Sequence, residues 1–468
     1  MSYYEDKLTG ARMRYYDTAK LLGGADYSGE SMNKTKLRYN FKVKCGVLTK
    51  SLGLKSAHSF GGRRMQYVTC FRRYDQDENR YFDQMVGVST LGEFLYYDPT
   101  EENPVLNTLP DFQVYGEVSF IRYTFNGTDY LIINAGMNGF YVWNGLSMRV
   151  PNNPKVSRIA IYDNKLFACS IDGFARVKHT TMSSPDGWGS DMKGLLLFNE
   201  CGPGIGLATM KNYLYVFQES GISRISRIDN LSGDYDVSKV WHGSERIYEG
   251  SIATCGDEVF FCSGGGLYRF NGLSVKRVLH ALDGYLTPDS QTRSCFYGGK
   301  LYIAARAKID GEAFGSETSA IYHNNVLVVY EPETDKFELI RGVCVTDFCV
   351  TPDFDRLLAV VGGYETCEIT PCDEFLGETL HKCFECTATD LGSNNKKTLK
   401  GVRMGNNVPV ELTVIVDGVE SFYEIPPGAV RFIRLHGTGY HLSFRLKTVY
   451  ADPEISLPVF AYAEEVEG

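Results

Sequence analysis

The chain has 468 residues, a formal net charge of −9, 43% hydrophobic and 13% aromatic residues. That length suits two or three domains, or one large closed all-β architecture with an added module. The acidic balance, without long runs of one sign, argues against a nucleic-acid or anionic-membrane surface. No stretch reaches the roughly 18 apolar residues of a helical membrane span.

Forty-eight glycines, 31 tyrosines and 27 phenylalanines against three tryptophans fit many short strands joined by tight turns. The first residues, MSYYEDKLTGARMRYY, show no apolar run of the secretory type. Thirteen scattered cysteines, an odd number, read as reduced thiols of a protein made in a cytoplasm. Residues 1–62 have weak periodicity and are expected to form an arm. Within it FKVKCGVLTKSLGL (Phe41–Leu54) is strand-like and has no evident neighbour. It is expected to close a ring by pairing with strands near Val345–Ile369.

From 63 to 381 the chain repeats itself. GFYVWNGLSMRV (Gly139–Val150) and GLYRFNGLSVKRV (Gly266–Val278) open 127 positions apart. Between and beside them a turn residue followed by a short apolar strand recurs in NGTDYLII, YDNKLFAC, MKNYLYVF, CGDEVFFC and YGGKLYIA. Each is preceded by another strand, and most are followed by a third. Units of three or four strands at a spacing of roughly 40 to 50 residues, with no helical period between them, predict a β-propeller. About seven blades are expected, with six or eight also compatible. The two similar stretches are then the same outer hairpin in two blades, with Asn-Gly as the turn. From 382 to 468 the repeat stops, and VELTVIVDG, AVRFIRLHG, HLSFRLKTV and ISLPVFAYAEE predict a small β-sandwich.

Chemistry-bearing patterns are sparse. SSPDGWGS (Ser183–Ser190) is a single polar loop. Cys367, Cys372, Cys383 and Cys386 have a spacing that zinc tolerates, with free thiols the other reading. GPGIG and SGGGL lack the helix that a phosphate loop needs. The eight histidines form no metal pair, and no nucleophile elbow is present. No catalytic residue, cofactor or metal is expected.

The block Asp163–Ser226 resembles bacteriophage virion proteins described as packaged-DNA stabilisation, head-completion or tail-hub proteins. The positions that carry the likeness are Asp186, Trp188, Gly206, Leu214, Tyr215 and Phe217, with Ile205, Leu207, Val216, Ile222 and Ile225. Pro185 precedes Asp186 here, and Gln218 stands where Lys is common in that family. Near the end, Arg434, Gly437, Gly439, Phe444 and Leu446 resemble the family's closing strand pair. The resemblance implies a structural virion protein at the head–tail axis, within the connector or tail hub that retains packaged DNA and joins portal to tail. Its implied partners are portal or adaptor and tail proteins, with DNA nearby but not read by sequence. A homo-oligomeric ring, a hexamer foremost, is also implied. Arg431, Arg434, Arg445 and Lys447 are the expected inter-subunit cations, with Glu101 and Glu102 as acidic counterparts. A receptor- or carbohydrate-binding propeller at a tail tip is the alternative, and a propeller glycosidase a third reading.

Overall fold

A computed structural model describes residues 4–465 apart from 6–11, 24–26, 28–31, 33, 76, 98–105, 115, 137–138, 151–155, 171–175, 181–182, 189–194, 198–200, 229–233, 310–312, 319–322, 353–355 and 362–364. No α-helix occurs among the described residues. Six four-stranded antiparallel sheets follow one another along the chain, and a seventh sheet follows them. Their first strands are Met65–Asp75, Ser119–Phe125, Val156–Tyr162, Gly204–Met210, Ala253–Cys255, Arg293–Tyr297 and Val345–Val350. Each of these touches its successor, and Val345–Val350 touches Met65–Asp75. The contacts therefore run in a closed circle, with the first strands innermost. The chain forms a seven-bladed β-propeller.

Local chemistry explains the blades. In five of them the first and second strands are joined by a two-residue turn, between Phe125 and Thr128, Tyr162 and Lys165, Met210 and Tyr213, Cys255 and Glu258, and Tyr297 and Lys300. Both turn residues are left-handed in Asn126–Gly127, Asp163–Asn164, Lys211–Asn212 and Gly298–Gly299, the twist that suits a tight hairpin. The second strands are wedged between neighbouring blades. They are buried on both faces and read as continuous apolar runs such as Tyr213–Gln218 and Lys300–Ala305, without alternation. Leu214 and Val216 point to one neighbour and Tyr215 and Phe217 to the other. Seven hydrophobic clusters lie between successive blades, and an eighth fills the sandwich.

The repeated Asn-Gly-Leu-Ser segments are equivalent turns. Each joins the third and outermost strands of its blade, Phe140–Trp143 to Met148–Arg149 and Gly266–Phe270 to Val275–Val278. Asn144 Oδ1 accepts the backbone N–H of Leu146 at 2.9 Å and of Ser147 at 2.7 Å. Asn271 Oδ1 accepts those of Leu273 at 3.0 Å and Ser274 at 2.9 Å.

Among the described residues, the N-terminal strands pair into the propeller and the sandwich and do not stand apart as an arm. Gly53–Ser59 is the fourth strand of the seventh blade, antiparallel to Glu365–Thr370. This is the expected blade, but the closing strand begins where the anticipated segment ends. Phe41–Lys44 and Val47–Lys50 instead pair with each other and join the sandwich. The reason is local: Cys45 and Gly46, both at positive φ, fold that stretch into its own hairpin.

The sandwich is built from both chain ends, so a boundary at 382 divides it wrongly. One sheet runs Tyr4–Glu5, Arg12–Asp17, Val459–Glu464, Lys397–Asn406, Glu454–Ser456, Val47–Lys50, Phe41–Lys44, with Gly428–Gly439 also paired to Lys397–Asn406. The other runs Thr35–Tyr39, Lys382–Cys386, Leu442–Thr448, Val410–Val416, Val419–Ile425.

Candidate functional site

The innermost strands of successive blades touch one another around the axis, and the starts of these strands line one end of it. There, side chains from several blades meet in a charged cluster. Arg158, on Val156–Tyr162, donates through Nη2 to Glu117 Oε2 at 3.2 Å and pairs through Nε with Glu249 Oε1 at 2.5 Å. Arg293, the first residue of its strand, reaches Glu117 Oε1 at 3.3 Å and donates to the carbonyls of Ser290 (2.9 Å) and Thr292 (3.1 Å). Asp347, in the third position of its strand, accepts the N–H of Val68 at 3.4 Å. Gly250 keeps a path open for Arg293: a Cβ there would lie 2.3 Å from the guanidinium Nη1.

Burial governs the electrostatics. It pushes the Asp347 carboxyl up to about 6, against the pull of Arg293 and Arg158. It also raises Glu249, although Arg158 opposes the shift. Tyr67, in the first blade, is pushed up to about 12 by burial and then by Glu117. Burial disfavours the Arg293 charge, but Glu117, Tyr67 and Asp347 together outweigh it and hold the cation. The result is a mutually neutralising lock across the axis, in which both arginines are spent on carboxylates. The nearby thiols of Cys295 and Cys349 are pushed up to about 12 by burial and are not thiolates near neutral pH.

A concavity of about 240 Å³ lies between propeller and sandwich and is lined by Tyr39, Phe314, His381, Arg341, Arg445 and Lys447 among others. Its two arginines are committed within the chain, Arg341 to Glu317 at 2.7 Å and Arg445 to Glu385 at 2.5 Å.

The residues singled out in the sequence fall in separate places. Asp186 and Trp188 clamp the third blade to the second: Arg149 donates to Asp186 at 2.6 Å, and the Trp188 ring lies 5.7 Å from that of Phe140. Trp188 Nε1 also donates to the Pro185 carbonyl at 3.0 Å. Gly206 stands in the innermost strand of the fourth blade, where a Cβ would meet Ile252 at 2.4 Å. Leu214, Tyr215 and Phe217 are core. Gly437 and Gly439 let their strand close over Val416 and Asp417.

Of the four expected inter-subunit cations, Arg445 is committed to Glu385 inside the sheet, because strands Lys382–Cys386 and Leu442–Thr448 place the two opposite each other. Arg431 folds back onto the carbonyl of Pro426. Arg434 is exposed, and Lys447 lies half-buried opposite Glu411. Glu101 and Glu102 lie outside the described residues. The four cysteines with zinc-like spacing do not assemble: Cys383 belongs to a propeller core and Cys386 to the sandwich core, while Cys367 lies in the seventh blade and Cys372 just beyond that blade's third strand. No metal-ligating cluster occurs among the described residues.

The axial lock is not legible in the repeat, because its two arginines and three carboxylates stand at unrelated positions of different blades and of the loops between them. One signal was present: VSRIAIY, TRSCFY and VTDFCV each carry a lone charge early in an innermost strand.

The chain matches no protein-family model and no curated protein. Among solved structures it is similar to a chain of one titled "Crystal Structure of Mitotic Checkpoint Complex", over 70% of this chain and 95% of that one, at 9% identity and a TM-score of 0.39. A likeness that distant carries no argument about activity. No described helix is long and apolar enough to cross a membrane.

Proposed function

We propose that this chain is a non-catalytic structural protein of a tailed-bacteriophage virion, part of the head-to-tail connector or tail hub that retains packaged DNA. The observation that carries the reading is the resemblance in Asp163–Ser226. Its residues serve as clamp and core: Asp186 and Trp188 hold two blades together, and Leu214, Tyr215 and Phe217 fill inter-blade space. An axis whose arginines are already neutralised supports a scaffold role over turnover. The net charge of −9 suits a neighbour past which DNA must slide. The reading places the protein in the particle, as a ring of copies (six favoured) beside portal, adaptor and tail proteins, after synthesis in the host cytoplasm.

The test is to assemble particles of the phage without this chain. Particles that package DNA and then lose it are expected. Particles that keep their DNA but no longer adsorb to cells would replace this reading with that of a receptor-binding propeller.

A further inference from the structure

The sandwich carries two free margins of opposite charge on its opposite faces. Val419–Ile425 and Gly428–Gly439 are edge strands, one in each sheet, joined at Pro426–Pro427. On the first, Leu412 and Val410 oppose Tyr423 and Ile425 towards the core, so Glu420, Phe422 and Glu424 face outward. Glu411 lies directly opposite Glu424 on the same outer face. On the other sheet Ile433 and Leu435 face the core, so Val430, Phe432 and Arg434 face out, with Arg403 directly opposite Phe432. Phe422 is 73% exposed and Phe432 47%. The Phe432 ring lies over Gly401, whose Cβ would sit 2.4 Å from it.

Each margin is thus an exposed phenylalanine whose own edge strand carries outward charge of one sign, Glu420 and Glu424 on one and Arg434 on the other. None of Glu411, Glu420, Glu424, Arg403 and Arg434 has an ion-pair partner among the described residues. Like charges directly opposed across two strands are destabilising; Glu411 has Lys447 opposite it on its other side, so Glu424 on the edge gains most from an incoming cation. Exposed apolar groups on unpaired edges are what a soluble chain ordinarily avoids.

We propose that these margins are the two halves of one contact between copies of this chain, the acidic Glu420–Phe422–Glu424 face of one copy seated on the basic Arg403–Phe432–Arg434 face of the next. Self-pairing of the acidic margin is disfavoured: antiparallel pairing of Val419–Ile425 about Phe422 would set Glu420 against Glu424. Matching two different faces makes the contact head-to-tail, so copies add in one direction until they close a ring. The contact specifies how the ring in the preceding reading is made, and rests on that reading only for the number of copies.

The test uses the full chain in solution, by sedimentation velocity over its soluble concentration range. Wild type is expected to self-associate, and to do so less as salt is raised. The Glu420→Lys/Glu424→Lys and Arg403→Glu/Arg434→Glu variants are each expected to sediment as monomers with unchanged melting temperature. An equimolar mixture of the two is expected to associate again, because each then offers the other a complementary face. Wild type that stays monomeric at every concentration, or a mixture that stays monomeric, overturns the inference. Because no particle is involved, that failure is separate from failure of the virion reading.

Discussion

At the axis, burial of Asp347 beside Arg293 sets a pH dependence that can be measured. Its folded-state pKa of about 6 lies above the ordinary 3.8, so the buried charge costs stability at neutral pH, and the cost falls away as pH drops from about 6 towards 3.8. A shift of that size corresponds to on the order of 3 kcal/mol. Asp347→Asn removes the titration and leaves an acceptor for the Val68 N–H. The variant is therefore expected to lose ground to wild type as pH is lowered from about 7 to about 4, read by urea unfolding at each pH. A difference that stays flat with pH would show that Asp347 titrates normally. A buried tryptophan and a surface ion pair offer a contrast at the same scale. Trp143 is fully buried, donates to Gln84 at 2.8 Å and packs within 5.1 Å of Phe94. Trp143→Ala is expected to cost about 3–5 kcal/mol. Asp186 and Arg149 form a half-exposed pair, so Asp186→Ala should cost about 1 kcal/mol or less, although Asp186 is the residue the family resemblance highlights. Residues that shape turns were legible, since Asn144 and Asn271 announce themselves by their neighbours. Residues of the axial lock were not, because Glu117, Arg158, Glu249, Arg293 and Asp347 meet only after five blades are placed around one point.

Among elements, the closing strand Gly53–Ser59 decides whether the ring is complete. It covers Glu365–Thr370, which would otherwise be an open edge, and it contributes Leu54, fully buried in the core between the sixth and seventh blades. A fragment spanning 63–381 lacks this strand, whereas one spanning 51–381 keeps it. The longer fragment is expected to be soluble and to unfold cooperatively. The shorter should aggregate through the uncovered edge. Equal solubility of the two would mean that the seventh blade stands on three strands. The sequence signalled that something N-terminal must close the ring, but the choice of strand turned on a finer cue. Cys45–Gly46 is a two-residue turn between short apolar runs, so Phe41–Lys44 already had its partner in Val47–Lys50. The next strand after this hairpin, with no partner in its own neighbourhood, is Gly53–Ser59. Alternation along Val410–Val416 and Leu442–Thr448 was legible for the opposite reason: one face of each strand is core and the other is not.

For the whole molecule, the interleaving of chain ends makes propeller and sandwich a single physical unit. Tyr16, Leu21, Phe41 and Leu48 sit in the sandwich core beside Phe444 and Phe460, although more than 350 residues separate the two groups in sequence. At about 1.5–3 kcal/mol for each large buried side chain, removing those four forfeits roughly 6–12 kcal/mol, comparable to the whole stability of a domain. The fragment 382–468, which repeat analysis would separate as a domain, is therefore expected to be unfolded alone. The junction is tied as well. Lys382 Nζ donates to the carbonyls of Leu380 at 2.9 Å and Tyr450 at 3.0 Å and pairs with Asp373 at 3.2 Å, the two side chains being 0% and 4% exposed. Cys383 and Tyr39 from the sandwich side enter the core between the fifth and sixth blades. A protease site placed at Asn394–Asn395, in an exposed turn before Lys397–Asn406, separates these possibilities in the intact protein. After cleavage the pieces 1–394 and 395–468 share a sheet in which Arg12–Asp17 pairs with Val459–Glu464 and Thr35–Tyr39 belongs to the layer opposite. They are expected to elute together under native conditions and to part only in denaturant. Release of the C-terminal piece from nicked protein without denaturant would mean that the N-terminal strands contribute little to the sandwich, and that the boundary near 382 is a true domain boundary after all.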